Sequence, residues 1–253
     1  MSRHTVSPYD ATFAKYGERG AYHWKEIGGH WLHHHAFTAE RYRRTLAALG
    51  TIRGQRVLDY GCGDGALLGW ISRRVGADGE AHGYDPNPEG LELARHMLAR
   101  ARLRATLHTS LTELSDGYVD AVVCADVVEH VLDVTGLLQT IARLLRPDGR
   151  AVITTPIRLS EVPDDPNHVR EWFPREFAGL FTGGPLRVAQ HEQFIPVGAP
   201  EVYFWRPPIL LGFPIFRLVC NLLSIYAGIN ALSWLRLRPR LFMMQLVVVK
   251  RTS

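Results

Sequence analysis

Val57-Leu-Asp-Tyr-Gly-Cys-Gly-Asp-Gly65 decides the fold. The stretch begins apolar, as a buried strand does, and runs into three glycines separated by single residues. The pattern predicts a strand, a tight turn and the start of a helix. Glycine in the turn lets the backbone approach a ligand that a β-carbon would strike. In an open parallel sheet this turn lies at the carboxyl end of a strand, where ligands bind.

Working outward, Gly83-Tyr-Asp85 ends the next strand. A carboxylate there suits a ribose diol, because it accepts from two hydroxyls. The glycine spacing falls one residue short of the dinucleotide fingerprint. Asp59, two positions before the first glycine, would repel a pyrophosphate but could hold an ammonium group. Together the two acids point away from NAD and toward a nucleoside carrying an amino-acid tail.

Around this unit the chain alternates. The spacing predicts helices at 66–75, 88–101 and 134–145, and strands at 56–60, 80–85, 104–108, 120–125 and 150–155. Alternation of this kind implies a parallel sheet covered on both faces. Helices at 13–25 and 39–49 precede it. After Pro156 the alternation weakens to a short helix at 174–180 and strands at 186–194 and 241–250. The fold expected is α/β: a Rossmann-like, doubly wound, mostly parallel sheet with an antiparallel C-terminal strand. Residues 1–50 form a helical cap on one domain, 51–253, with a hydrophobic insertion at about 201–238.

Charged residues at 21% and hydrophobic residues at 46% exclude wholesale disorder. The net charge of +4 is spread along the chain with no clustered basic stripe, so nucleic acid is not an expected partner. The three cysteines, Cys62, Cys124 and Cys220, form no C-x-x-C pair and are expected reduced and buried. The polar N-terminus carries no apolar signal core. A cytoplasmic setting is expected, at most peripheral to the inner face of the membrane.

Four stretches in register resemble the class I S-adenosylmethionine-dependent methyltransferases, the ubiquinone-biosynthesis-type small-molecule O-methyltransferases among them. Val57–Gly65 resembles their first motif and Tyr84-Asp85-Pro86 the acidic end of the second strand. Asp120-Ala-Val-Val-Cys-Ala-Asp-Val-Val-Glu-His-Val131 resembles the fourth-strand motif, and Leu144-Leu-Arg-Pro-Asp-Gly-Arg-Ala-Val152 the turn before the fifth strand. The resemblance implies S-adenosylmethionine as cofactor. Asp59, Gly61, Cys62 and Gly63 would line its methionine part, Asp85 would take the ribose hydroxyls, and Pro86, Ser110 and Leu111 would flank the adenine. Many relatives carry Asp where this chain has Thr109 or Ser110, so adenine recognition departs from the pattern. Ala125 and Asp126 would close near the sulfur. Tyr16 or Tyr22 of the cap would close over the cofactor.

Methyl transfer from a sulfonium is an in-line displacement, which needs alignment first and a base only where the nucleophile must lose a proton. His130, just past the fourth strand, can serve as that base near neutral pH. Asp126, Glu129 and His130 could instead form a Mg site, the lesser reading, so no metal is expected. Asn167-His-Val-Arg-Glu-Trp-Phe173 is similar to a His-x-x-Glu-Phe stretch of the ubiquinone-type enzymes. On that likeness His168 would face the acceptor and Arg170 an anionic group on it. His23 is a further acceptor contact from the cap. The cluster His30-Trp-Leu-His-His-His35 has ligand-like spacing on a helix but no interleaved carboxylate or cysteine, which favours packing, solvation or contact with cofactor or substrate.

Pro207–Leu235 is strongly apolar with one charge, Arg217. Its prolines and its Asn221, Ser224 and Asn230 interrupt it too often for a bilayer span. Arg236, Arg238 and Arg240 follow. Three readings stand side by side: a peripheral membrane contact through 207–238, a lid over an apolar acceptor, and a homodimer face. The function expected is transfer of a methyl group to a small or lipid-linked acceptor, on oxygen. N- or C-methylation of a soluble metabolite or sugar is the alternative. A non-catalytic, cofactor-binding, membrane-associated protein is the rival from another class.

Overall fold

The computed structural model describes residues 15–160, 163, 165, 167–205, 209–210, 213–234 and 241–252. Seven strands form one sheet: β1 Arg56–Tyr60, β2 Glu80–Tyr84, β3 Thr106–His108, β4 Val119–Ala125, β5 Leu145–Pro156, β6 Leu186–Pro196 and β7 Phe242–Arg251. Their order is β3-β2-β1-β4-β5-β7-β6. The first five strands run parallel, and β7 lies antiparallel between β5 and β6. The doubly wound reading is therefore right, and so is the antiparallel C-terminal strand.

Alternate residues of the central strands bury on opposite faces, as a sheet covered on both sides requires. Val57, Ala121, Val123, Val152, Leu246 and Val248 join one core with the helices α3 Ala36–Leu49 and α4 Ala66–Val75. Leu58, Val122, Cys124, Ile153, Val247 and Val249 join the other with α6 Val134–Leu144. Burying one such Val or Leu contributes about 1.5–3 kcal/mol, so these layers dominate the stability of the fold. The three cysteines are buried and free.

The cap departs from one detail of the expectation. In place of a single helix over 13–25 there are two short ones, α1 Lys15–Arg19 and α2 Tyr22–Glu26, broken at Gly20. Residues 13 and 14 lie outside those described. Helix α5 Pro88–Arg100 starts at Asn87, whose side chain accepts from the amides of Glu89 and Gly90.

A short helix, α7 Pro174–Gly179, precedes β6, and the insertion that follows β6 is largely helical. It holds α8 Ala199–Trp205, α9 Ile215–Leu222, a wide turn Leu223–Ala227 and a 3-10 turn Ala231–Trp234. Pro207, Pro208 and the arginine run 236–240 lie outside the described residues. Among the described residues no helix is long and apolar enough to cross a membrane.

Candidate active site

The site opens at the carboxyl ends of β1, β2, β4 and β5. Gly61 and Gly63 take positive φ, +79° and +50°. A β-carbon on Gly61 would overlap Val127 Cγ2, and one on Gly63 would overlap the Tyr16 hydroxyl. Both conformation and space therefore demand glycine here. The amides of Gly61 and Cys62 donate to the Tyr84 carbonyl at 2.7 and 2.9 Å, which clips the turn to the end of β2.

Three carboxylates meet around this turn. Asp59 is buried, and its Oδ2 has no hydrogen-bond partner. Burial first, then the charges of Asp85 and Asp64, pushes its pKa up to about 8. Asp85 is raised too, chiefly by burial, and its two oxygens accept from the amides of Gly63 and Asn87, both at 2.8 Å. Each of those oxygens keeps a further lone pair for a hydroxyl. A buried carboxylate with one orphaned oxygen in a cluster of like charges calls for a cation, and the adjoining diol acceptor calls for a ribose. The residues present thus fit S-adenosylmethionine, a cationic nucleoside with an ammonium group.

Asp64 has another task. Its oxygens hold His23, by the backbone amide at 3.0 Å and by Nδ1 at 3.3 Å, and its carbonyl accepts from Trp24 Nε1 at 2.7 Å. Asp64 is therefore the latch that fixes α2 to the glycine turn. His23, expected to meet the acceptor, is engaged there with Asp64. Tyr16 is buried with its hydroxyl over Gly63, and its ring lies 6.1 Å from that of Tyr22. Ser110 is exposed, with its hydroxyl on Thr112 at 2.9 Å, whereas Leu111 is buried. Pro86 and Ala125 are half-buried at the ends of β2 and β4.

Arg41 is the residue that sequence reading missed. It projects from α3, and its Nη1 lies 2.6 Å from Asp126 Oδ2. Nothing local separates it from Arg43 and Arg44, which turn instead to Ser224 and Glu40. The ion pair also removes Asp126 from the metal trio considered above.

Beyond Asp126 a 3-10 turn, Val128–His130, sets two further groups. Glu129 is buried. Its Oε2 accepts from Thr155 Oγ1 at 3.0 Å, its Oε1 has no hydrogen-bond partner, and burial, then the charge of Asp126, raises its pKa well above the carboxylate range. His130 Nδ1 donates to the Asn167 carbonyl at 2.9 Å, which fixes Nε2 as the lone-pair nitrogen of the neutral ring. His168 stands edge-on to His130 with ring centroids 4.8 Å apart. Its Nδ1 lies 2.6 Å from Oε1 of buried Glu171. Glu129, His130 and His168, rather than Asp126, Glu129 and His130, bring ligand atoms within 4.8 Å of one another.

His168 and Glu171 line a cavity of 530 Å³ together with Arg19, Asn167, Met243 and Met244. Arg170 is not on that wall. It is exposed, and its guanidinium packs over the Trp172 ring at 5.8 Å. Among the described residues, the cation on that wall is Arg19, from the cap, and Asp165 lines it as well.

Residues 32–193 match the family model described as a methyltransferase domain. The ubiquinone biosynthesis O-methyltransferase of Alkalilimnicola ehrlichii is 32% identical over 156 residues, covering 60% of this chain and 59% of that protein. The one from Aeromonas salmonicida is 35% identical over 139 residues, covering 52% and 56%. The chain thus spans little more than half the length of these curated relatives. Among solved structures, a chain of the complex between the Haloferax volcanii Trm112 methyltransferase activator and a putative methyltransferase superposes with a TM-score of 0.63 at 18% identity, over 98% of this chain and 100% of that one. Geranyl diphosphate C-methyltransferase from Streptomyces coelicolor gives 0.62 at 18%, over 85% and 79%. At that identity the structures speak for the fold alone.

Proposed function

The chain belongs to the class I S-adenosylmethionine-dependent methyltransferases, and we propose that it methylates a hydroxyl oxygen of a small or lipid-linked acceptor bound in the cavity beside His168. The carrying observation is the His168–Glu171 pair on the cavity wall. A buried carboxylate on Nδ1 orients the ring and stabilises the imidazolium that forms when Nε2 takes a proton. An amine acceptor has its lone pair ready and would not need such a pair. The names of the curated relatives, O-methyltransferases, agree with oxygen as the acceptor atom.

When bound, S-adenosylmethionine would supply a methyl group from its sulfonium, the sulfur–methyl bond breaking with its electron pair returning to sulfur so that the neutral thioether leaves. Asp59 and Asp85 bind the cationic and ribose parts, and Arg41 takes the carboxylate of the methionine tail. Tyr16 and Tyr22 exclude water from above the glycine turn. His168 Nε2 receives the hydroxyl proton as the oxygen–methyl bond forms, and His130 supports that ring from its edge. The cavity's Ile157, Leu159, Met243 and Met244 suit an apolar body or tail, and Arg19 an anionic substituent.

The test is turnover of His168→Asn and Glu171→Gln with a panel of phenolic acceptors. Loss of a general base costs about 10²–10⁴ in rate. His168→Asn should lose that much in kcat while keeping cofactor affinity. Glu171→Gln should shift the pH profile of kcat with little change in KM. An unchanged kcat in His168→Asn would remove the base and reopen N- or C-methylation.

A further inference from the structure

The helix α9 and the turn after it are inside out. On one side Cys220, Asn221 and Ser224 are buried. Asn221 Oδ1 accepts from Tyr203 Oη at 2.6 Å, and its Nδ2 donates to the carbonyls of Trp31 and His34 at 2.8 and 2.9 Å. Ser224 Oγ bonds His34 Nε2 at 2.8 Å and accepts from Arg43 Nη2 at 2.9 Å. On the opposite side Val219, Leu222, Leu223 and Tyr226 are exposed, Tyr226 at 81%. Trp31 and Leu32 of the cap are exposed as well. A surface helix ordinarily turns its polar side to water. Here the buried hydrogen bonds to the cap fix the opposite orientation, since rotating the helix would leave those polar groups unsatisfied.

We infer that this face docks on an anionic lipid bilayer, lying in its interface. The charge of the surrounding sequence selects that occupant. From Val202 to Leu241 the sequence holds no Asp or Glu, while Arg206, Arg217, Arg236, Arg238 and Arg240 are cationic. A second copy of the chain would bring the same cations against themselves, whereas anionic headgroups complement them. The Arg217 guanidinium packs over the Tyr203 and Phe204 rings at 5.2 and 5.3 Å, a cation seated on aromatics of the same insertion. Apolar side chains beside arginines are what interfacial helices use. The inference stands apart from the methyl-transfer reading and requires no particular acceptor.

The test is co-sedimentation of the chain with vesicles of phosphatidylcholine alone and of phosphatidylcholine mixed with phosphatidylglycerol. Bound S-adenosylmethionine is quantified on the same samples. The protein should pellet with the anionic vesicles, release as salt rises, and leave the neutral vesicles largely alone. Val219→Asp with Tyr226→Asp should weaken binding at least about tenfold, because two exposed anchors become anions. Arg236→Gln, Arg238→Gln and Arg240→Gln together, which leave the apolar face intact, should remove the preference for anionic lipid. Cofactor binding unchanged in every variant would show that each has folded. No binding to either vesicle, equal binding by the Asp variant, or a dimer in lipid-free sedimentation that this variant dissociates would each overturn the inference. Vesicle binding without cofactor binding would count against the methyltransferase reading and leave this one standing.

Discussion

Arg41 Nη1 stands 2.6 Å from Asp126 Oδ2, an ion pair that ties the helical cap to the end of β4. Asp126 itself sits at φ +55°, a left-handed conformation costly for a residue with a β-carbon. Thr154 secures it twice, through its carbonyl and through its hydroxyl, each at 3.1 Å. The cap is thus fastened to the sheet across the very place where the two halves of the site meet. Asp64 fastens it again, through His23 and Trp24.

The role given to Arg41 is selective for one part of the cofactor. Arg41→Ala should weaken S-adenosylmethionine by about ten- to a hundredfold, the loss expected for a hydrogen bond between charged groups at roughly 1.5–3 kcal/mol. It should leave 5′-methylthioadenosine, which has no carboxylate, nearly unchanged. Equal losses for both ligands would mean that Arg41 acts only by holding the cap.

Asp59 makes ligand binding release protons. Its pKa lies at about 8 in the folded, ligand-free protein against an ordinary 3.8, raised first by burial. Between those values the folded protein retains a proton that the unfolded chain has lost, so stability falls as pH rises through the window. A cation beside Asp59 reverses the shift and expels the proton. Calorimetry near pH 7 in buffers of differing ionisation heat should show proton release for the wild type and much less for Asp59→Asn. The same variant should flatten the loss of thermal stability of the ligand-free protein between pH 5 and 8. Identical buffer dependence in the two proteins would contradict this.

Gly63→Ala should be more damaging than its position in a turn suggests. The added methyl requires a positive-φ alanine and displaces the Tyr16 hydroxyl. Overpacking of this kind costs about 1–3 kcal/mol. Thermal unfolding should reveal that loss, and limited proteolysis should cut faster near Gly20, between α1 and α2. A variant with wild-type stability would mean that Tyr16 does not lie over the turn.

Chelation separates the two readings of the Glu129, His130 and His168 cluster. The base reading needs the His168 Nε2 lone pair, which a metal ion would occupy. Turnover should therefore survive EDTA, and Glu129→Gln, which keeps the uncharged form favoured by burial, should stay active. Loss of turnover on chelation, restored by Mg, would assign the cluster to a metal.

Much of this was legible in local sequence. The β1–turn–α4 unit, Asp59 and Asp85 follow from neighbouring residues, because strand period and turn chemistry act over a few positions. The two-residue periodicity says which face a side chain takes but not which strand is its neighbour, so the place of β7 between β5 and β6 was not readable. Arg41 was not readable either. It shares its helix with other arginines, and only the packing of α3 against the sheet singles it out. His23 and Arg170 show the reverse case, residues of suitable chemistry that packing diverts to Asp64 and to Trp172. Gly20 is a visible break in the sequence of the first helix, and glycine's low helix propensity accounts for the division into α1 and α2.

The central claim is that the glycine turn with Asp59 and Asp85 binds the cofactor. The direct measurement is calorimetric titration of S-adenosylhomocysteine and S-adenosylmethionine into the wild type and into Asp85→Ala, with unfolding temperatures taken on both proteins. One binding site is predicted for the wild type, weakened at least about tenfold by the loss of charge-assisted hydrogen bonds to the ribose, in a variant that remains folded. A folded wild type that binds neither ligand, or a variant that binds both as well as the wild type does, would contradict it.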